Sequence, residues 1–212
     1  MSFVRAEPLY IAEAEDDLRA FAEWLASHAT FTEQDVVAFM KERKHLFTLF
    51  CATAGGYIPD RLRHEMELHG LFRADLVGGN TSQGRYTFIE FESGRPNSLF
   101  KSTRPNQNLA DWSNELHHAL GQVSDWEWAR QQNFSSNTFE HIFGRREINV
   151  TYLVICGRRD RLDKLSTERL AWRSNNTLFG GHKTLIWTFD DALEFALEFV
   201  ESQKLAAQLQ RD

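Results

Sequence analysis

Hydrophobic and polar residues alternate along the chain in a way that predicts helices and strands in turn. Residues 9–29 carry apolar side chains at helical spacing and predict an acidic amphipathic helix. Thr32 starts the sequence TEQD, which is typical of a helix N-cap, and predicts a second helix that continues to about Cys51. The AGGYIP segment ends this helix. We therefore place an N-terminal helical region at residues 1–58, as an extension to a domain at 59–212.

Three strand-like segments follow, at residues 63–70, 71–78 and 84–92, with glycine-bearing turns between them. Strands joined by such short turns pair in antiparallel fashion. A long helix is predicted next, with Asp111 as its N-cap. The remaining predicted elements are a central strand at 147–157, a helix near 160–173, a strand at 183–189 and a final helix from Asp190. The order helix, three antiparallel strands, helix, strand predicts an α/β fold with a mixed sheet flanked by helices.

Composition narrows the class of protein. The 212 residues are 42% hydrophobic, and no apolar run reaches the roughly 18 residues of a membrane span. The N-terminus lacks the basic-then-apolar order of a secretory signal. Cys51 and Cys156 lie in apolar segments, which favours reduced core thiols. These features predict a cytoplasmic protein with no membrane partner.

Charge is distributed unevenly along the chain. The net charge is −6, and residues 1–40 hold two basic and eight acidic side chains, so the rest of the chain is neutral overall. Basic residues lie close together in two places: Arg95, Lys101 and Arg104 in the loop 93–108, and Arg145 and Arg146 further on. Such clusters are compatible with a phosphate-backbone partner, but they are more often solvated loops. The acidic N-terminal region suits a regulatory partner or assembly.

The strand GRYTFIEFES places Glu90 and Glu92 on one face, because side chains alternate along a strand. Asp75 lies on the preceding strand, across the predicted hairpin. Three carboxylates, with the backbone carbonyl of Phe91, can gather around one Mg²⁺ ion, which prefers hard oxygen ligands. The alternative is a solvated strand face with Arg or Lys partners on neighbouring strands.

The register of this hairpin decides between the two interpretations. If Val77 pairs with Arg85, Asp75 lies opposite Thr87 and faces away from the two glutamates. A one-residue offset or a bulge places Asp75 opposite Phe88, on the face of Glu90 and Glu92. The metal hypothesis therefore predicts such an offset.

Asp75, the Glu90–Glu92 segment and the helix residues Gln122 and Trp126 resemble the PD-(D/E)xK nuclease pattern with its Q-x-x-x-aromatic helix motif. More narrowly, GLFRADLVGGN, FIEFES, LFKS, HALGQVSDWEW, HIFG and RLAWRSNN resemble the Shedu family of antiphage nuclease-like proteins. The resemblance covers roughly residues 60–190. It implies a restriction-endonuclease-like fold, Mg²⁺ or Mn²⁺ as cofactor, DNA as partner and a homo-oligomer.

The resemblance also assigns roles, with one departure. Asp75 and Glu90 match the metal ligands, and Gln122 matches the residue that orients the site from the helix. Glu92 stands where the pattern has Lys, so it is expected to serve as a further ligand or as the base. Lys101 is a candidate for a relocated cationic group. Trp126 stands where a Tyr is usual.

Other side chains have competing interpretations. Glu115, His118 and Gln122 share one helix face, where they can meet the carboxylates, and His118 is a further candidate DNA contact. Adjacent His117 and His118 point about 100° apart on a helix, which disfavours a shared zinc ion. Three tryptophans of the helical segment are expected to fill core rather than to stack on bases: Trp112, Trp126 and Trp128.

The preferred hypothesis is a metal-dependent DNA endonuclease or nickase. One rival is a catalytically silent nucleic-acid-binding or assembly module on the same fold, which has lost its Lys. Another is a regulator that docks through its acidic N-terminus.

Overall fold

The structure is a computed structural model that describes residues 3–68, 70–102 and 109–209; Arg104, a predicted DNA contact, lies outside them. Its helices are α1 Ile11–Ser27, α2 Glu33–Lys41, α3 Lys44–Gly55, α4 Asn114–Asn133, α5 Asn137–Phe143, α6 Lys164–Asn176 and α7 Phe189–Leu209. Its strands are β1 Val4–Arg5, β2 Arg61–Leu68, β3 Phe72–Asn80, β4 Arg85–Phe91, β5 Asn149–Ile155, β6 Leu178–Phe179 and β7 His182–Trp187.

In the described part of the chain, the strands form one open seven-stranded sheet with the order β1-β2-β3-β4-β5-β7-β6. The strands β1 to β4 pair antiparallel, whereas β4, β5 and β7 are parallel. The connection from β4 to β5 contains α4 and α5, because parallel neighbours need a long crossover. The predicted mixed α/β class is confirmed.

Both faces of the central strands are covered. On one face, α1, α2, α3 and α7 pack with Leu76, Ile89 and Leu153 in one hydrophobic cluster. On the other face, which we call the α4 side, α4, α5 and α6 pack with Phe88 and Tyr152. Burial on both faces explains why β5 is a continuous apolar segment. The helices before residue 58 share a cluster with the sheet, and the domain boundary at 58 remains a prediction.

The second predicted helix consists of two helices. Thr32 caps α2, and its side chain and that of Asp35 form a reciprocal capping box. The helix ends at Lys41, and Arg43 has non-helical backbone angles of φ −128° and ψ 78°. The two helices have different surroundings, which is a physical reason for the break between them: α2 is amphipathic, whereas most of α3 is buried. The prediction of one continuous helix to Cys51 was wrong because the charged segment 41–44 allows the chain to turn.

Three smaller expectations also change. Ser113, not Asp111, caps α4, since its Oγ accepts a hydrogen bond from the Leu116 N–H at 2.9 Å. The short helix α5 was not predicted. Trp126 is buried as expected, but Trp128 is 52% exposed, so its assignment to the core was wrong.

Two predictions about composition can be compared with the structure. Cys51 and Cys156 are buried free thiols, as expected. Among the described residues, no helix combines the length and apolar character that crossing a membrane requires.

Candidate functional site

Glu90 and Glu92 lie at the C-terminal end of β4, and both face α4. Glu90 is 4% exposed and Glu92 is 7% exposed. No described Arg or Lys forms an ion pair with either carboxylate. The alternative of a solvated strand face with cationic partners is therefore wrong.

Asp75 reaches the same end of β4 through a register that differs from both of the registers considered above. Val77 pairs with Phe88, three residues further along β4 than Arg85, and Asn80 pairs with Arg85 to close the turn. Asp75 therefore does not lie opposite Phe88. Its Oδ2 instead accepts a hydrogen bond from the Phe91 N–H at 2.9 Å. Asp75 is thus brought to the glutamates, as the metal hypothesis predicted, but through a larger offset of the hairpin. We call Asp75, Glu90 and Glu92 together the acidic site.

A distortion of the sheet accompanies Asp75. His64 pairs with Leu76 and Met66 pairs with Ala74, but the ladder omits the pair between them. Glu65, at the omitted position, has φ 46°, in the left-handed region that non-glycine residues rarely adopt. Such backbone strain often occurs at functional sites. Ala74 packs on the α4 side and Leu76 on the opposite face, so β3 is irregular at the residue between them.

Helix α4 supplies the polar side chains that meet the acidic site. The Gln122 amide donates a hydrogen bond to Glu90 Oε1. His118 Nδ1 lies 3.4 Å from Glu92 Oε1. One turn earlier, Glu115 Oε2 accepts a hydrogen bond from Ser93 Oγ at 2.7 Å. The contacts of these three helix residues confirm that they share one face.

The environment favours the protonated form of all three acids. Burial, then the charges of Asp75 and Glu92, raises the pKa of Glu90 to about 10. Burial also raises the pKa of Glu92 to about 7, although His118 acts in the opposite direction. Burial raises the pKa of Asp75 to about 6, against the lowering effect of the Phe91 N–H. The site therefore concentrates acids in surroundings that oppose their negative charge.

Glu33 is a fourth acid that the sequence analysis missed. It is the first residue of α2, and its charge raises the pKa of Asp75, Glu90 and Glu92. An acidic residue in the first turn of a helix is usually explained by the helix dipole. Only the packing of α2 beside the end of β4 shows that Glu33 faces the acidic site.

The donor atoms fit a divalent cation. Carboxylate oxygens are the ligands that Mg²⁺ and Mn²⁺ prefer. Glu90 Oε2 is buried and accepts no hydrogen bond from a described residue. In the described part of the chain, however, no three acidic, His or Cys side chains are already arranged around one point. Binding a cation therefore requires at least one of these side chains to turn.

The predicted cationic groups lie in different places. Arg95 is near the site, with Nη1 4.0 Å from Glu115 Oε1. Lys101 is exposed, its N–H donates to the Asp111 carbonyl, and its side chain makes no ion pair with the acidic site among the described residues. Arg145 donates to the Thr81 and Ser82 carbonyls, at the opposite end of β4.

Arg146 also lies away from the acidic site, where it pairs with Glu140 of α5 at 2.9 Å. The five steps along β4 from Arg85 to Glu90 span about 16 Å, at roughly 3.3 Å per residue, and Arg145 lies at the Arg85 end. The structure therefore brings Arg95 and His118 to the acidic site, and does not bring Arg145 or Arg146 there. Phe91 meets the site through its N–H, and the metal-binding role of its carbonyl remains a prediction.

The molecule is thus a mixed α/β protein with a buried acidic site at the end of a central strand. A family model described as the C-terminal part of the Shedu protein SduA matches residues 30–193. The chain belongs to the Shedu family, and this membership suggests a role in antiphage defence. A search of curated proteins found no match. The matched range includes Glu33 and the whole acidic site.

Proposed function

We propose that this protein is a metal-dependent endonuclease that hydrolyses DNA phosphodiester bonds in antiphage defence. The observation that carries the proposal is the acidic site, where Glu90 and Glu92 are buried beside the half-buried Asp75 and no described Arg or Lys forms an ion pair with Glu90 or Glu92. Buried charges in proteins are normally paired or bind metals. The resemblance of the sequence to the PD-(D/E)xK pattern supports this proposal, and the mixed α/β sheet is compatible with the restriction-endonuclease-like fold that we propose with it.

Asp75 and Glu90 would hold Mg²⁺ or Mn²⁺, with Glu33 and the Phe91 carbonyl as further ligands, and Glu92 would be left to act as the base. The bound cation would lower the pKa of a water molecule and stabilise charge on the phosphate. Gln122 orients Glu90 through its amide, and the Phe91 N–H orients Asp75. These two hydrogen bonds limit the rotation of the carboxylates.

Glu92 stands where the nuclease pattern has Lys, and the structure places His118 beside it. The Glu92 carboxylate is suited to accept a proton from the attacking water, because burial raises its pKa to about 7. His118 is exposed on its outer side and can reach a phosphate of the substrate. Arg95 and Lys101, in the loop after β4, are further candidate DNA contacts.

A plasmid-nicking assay tests the proposal. Purified protein is incubated with supercoiled DNA and Mg²⁺ or Mn²⁺, and Asp75→Asn and Glu90→Gln are compared with wild type. Each variant is expected to lose at least about 100-fold in nicking rate, because removing a ligand's charge weakens metal binding. Glu67→Gln is the matched control, since Glu67 is an exposed strand glutamate outside the acidic site. Nicking that persists in both site variants would overturn the proposal.

The substitution of Lys by Glu92 favours one other function, a silent DNA-binding or assembly module. That function predicts DNA binding with no cleavage in either metal, by wild type and variants alike. Homo-oligomer formation and a regulatory partner for the acidic N-terminal region are further proposals. Size-exclusion chromatography with light scattering tests the first of these.

A further inference from the structure

A second surface feature, separate from the acidic site, lies between the start of α4 and helix α6. It is a pocket of about 450 Å³ lined by Trp112, His117, Arg169, Trp172 and Arg173, and we call it the aromatic–arginine pocket. Trp172 is 68% exposed. No acidic side chain of a described residue lines the pocket. The surface is thus both aromatic and positively charged.

The arginines are held against the aromatic rings. The Arg173 guanidinium lies 4.5 Å from the ring centre of Trp112, and that of Arg169 lies 5.1 Å from it. The Phe100 ring also stacks on the Trp112 ring, with 4.4 Å between the two ring centres. Burial, then the charge of Arg169, lowers the pKa of Arg173. Two guanidinium groups that repel each other attract an anion between them.

The aromatic and arginine side chains of the pocket match the base and the phosphate of an unpaired nucleotide. A base can stack on an exposed indole ring, and stacking tolerates any base because every base has a π-face. Arginine binds the adjoining phosphate through paired N–H groups. A double helix keeps its bases stacked inside, so this combination suits a single strand.

The pocket also lies beside the acidic site. His117 lines the pocket, and the next residue, His118, contacts Glu92. Adjacent helix residues point about 100° apart, so the pocket and the acidic site lie on neighbouring sides of α4, separated by roughly the 10–12 Å width of a helix. Lys101 follows Phe100 at the pocket's edge. One DNA strand can therefore reach both places.

We propose that the aromatic–arginine pocket binds an unpaired base, stacked on Trp172, together with its phosphate, and so anchors a single-stranded segment of the DNA substrate beside the acidic site. The proposal rests on the proposed function for the identity of the substrate. Base binding in the pocket can nevertheless be measured without cleavage.

The test uses a fluorescent single-stranded oligonucleotide and protein carrying Glu90→Gln, in EDTA, so that no cleavage occurs. Trp172→Ala is expected to weaken binding about 5- to 100-fold, the effect of losing one stacked base. Trp128→Ala is the matched control, because Trp128 is another exposed tryptophan, on α4 and outside the pocket. Arg173→Gln is expected to reduce the slope of log affinity against log salt by about 0.7.

An abasic oligonucleotide of equal length gives the second measurement. The Glu90→Gln protein with an intact pocket is expected to bind the abasic oligonucleotide only as tightly as the Trp172→Ala variant does. The affinity of the Trp172→Ala variant should not change when the base is removed. Equal binding of the normal oligonucleotide by Trp172→Ala and Trp128→Ala would overturn the inference, even if plasmid nicking requires Glu90. Conversely, binding that depends on Trp172 in a protein without nuclease activity would support the pocket and contradict the proposed endonuclease. Circular dichroism checks that each variant folds.

Discussion

Glu90 and Glu127 are two glutamates on the α4 side of the sheet that are almost equally buried, at 4% and 3% exposure. Their surroundings differ completely. Glu127 receives hydrogen bonds from Arg130 and from the Tyr152 hydroxyl, each at 2.7 Å, and from Gln131 at 2.6 Å. Glu90 receives one, from the Gln122 amide, and the charge of Asp75 acts against it.

The two pKa values follow from these partners. The Arg130 and Tyr152 hydrogen bonds outweigh burial and lower the pKa of Glu127. Burial and neighbouring acids raise the pKa of Glu90 to about 10. The fold therefore pairs one buried carboxylate with its own arginine, whereas no cationic side chain among the described residues pairs with the other. This contrast is the physical reason to assign a structural role to Glu127 and cation binding to Glu90.

The largest expected effect is the difference in the free energy of unfolding between two variants in which either Glu127 or Glu90 is replaced by Gln. Glu127→Gln leaves Arg130 buried without a counter-ion and is expected to lower the free energy of unfolding by about 3 kcal/mol, which corresponds to roughly 6–12 °C in Tm. Glu90→Gln is expected to stabilise the protein in EDTA at pH 8, since folded wild type must keep Glu90 protonated at a pH where the unfolded chain releases that proton. Thermal unfolding measures both. The contrast fails if both substitutions destabilise to the same extent.

The pH dependence of Glu90→Gln gives the next largest effect. The folded pKa of Glu90 is raised, so its proton stabilises the fold fully below about pH 4.5, and this contribution is lost as pH rises toward 10. In EDTA, wild type is therefore expected to lose up to about 4 kcal/mol relative to Glu90→Gln between pH 5 and pH 8. Urea unfolding at both pH values measures this difference. A constant difference would show that Glu90 titrates normally.

Divalent cations are expected to act on one carboxylate only. With 10 mM MgCl₂ at pH 8, the free energy of unfolding of wild type is expected to rise by about 1.4 kcal/mol for a dissociation constant near 1 mM. Glu90→Gln is expected to lose most of this increase, whereas Glu127→Gln is expected to keep it. Equal stabilisation of both variants would place the cation elsewhere.

The smallest effects concern single hydrogen bonds. Tyr152→Phe removes one donor to the ionised Glu127 and is expected to reduce the free energy of unfolding by about 1 kcal/mol. Gln122→Met removes the donor to Glu90 and is expected to cost about 0.5 kcal/mol or less, because a protonated Glu90 loses only a neutral hydrogen bond. Urea unfolding compares the two. A larger cost for Gln122→Met would mean that Glu90 is ionised without a cation.

Much of the fold was predictable because its signals are local. Alternating side chains correctly separated Ile89 and Phe91 from Glu90 and Glu92, and helical spacing brought His118 and Gln122 to one face. The break between α2 and α3 was missed, since it depends on where α3 packs. Ser113 rather than Asp111 caps α4, because the backbone at Asp111 and Ser113 is still hydrogen-bonded to Lys101 and Leu99 where the helix would otherwise begin.

The acidic site was only partly predictable. Residue types and spacing selected Asp75, Glu90, Glu92 and Gln122, but the hairpin register was off because a turn of unknown length connects the strands. Glu33 carries no distinguishing pattern in the sequence. Its place beside β4 comes from the docking of α2 across about sixty residues of chain.

Local patterns thus decided which residues form each strand and helix, which acids share a strand face and which family the motifs resemble. Packing decided the rest: the register that presents Asp75, the strain at Glu65, the approach of Glu33, and the presence of an arginine beside Glu127 and of further acids beside Glu90. The reason is physical. Alternation and helical spacing are properties of neighbouring residues, whereas burial and charge pairing depend on groups that meet only when distant segments fold together.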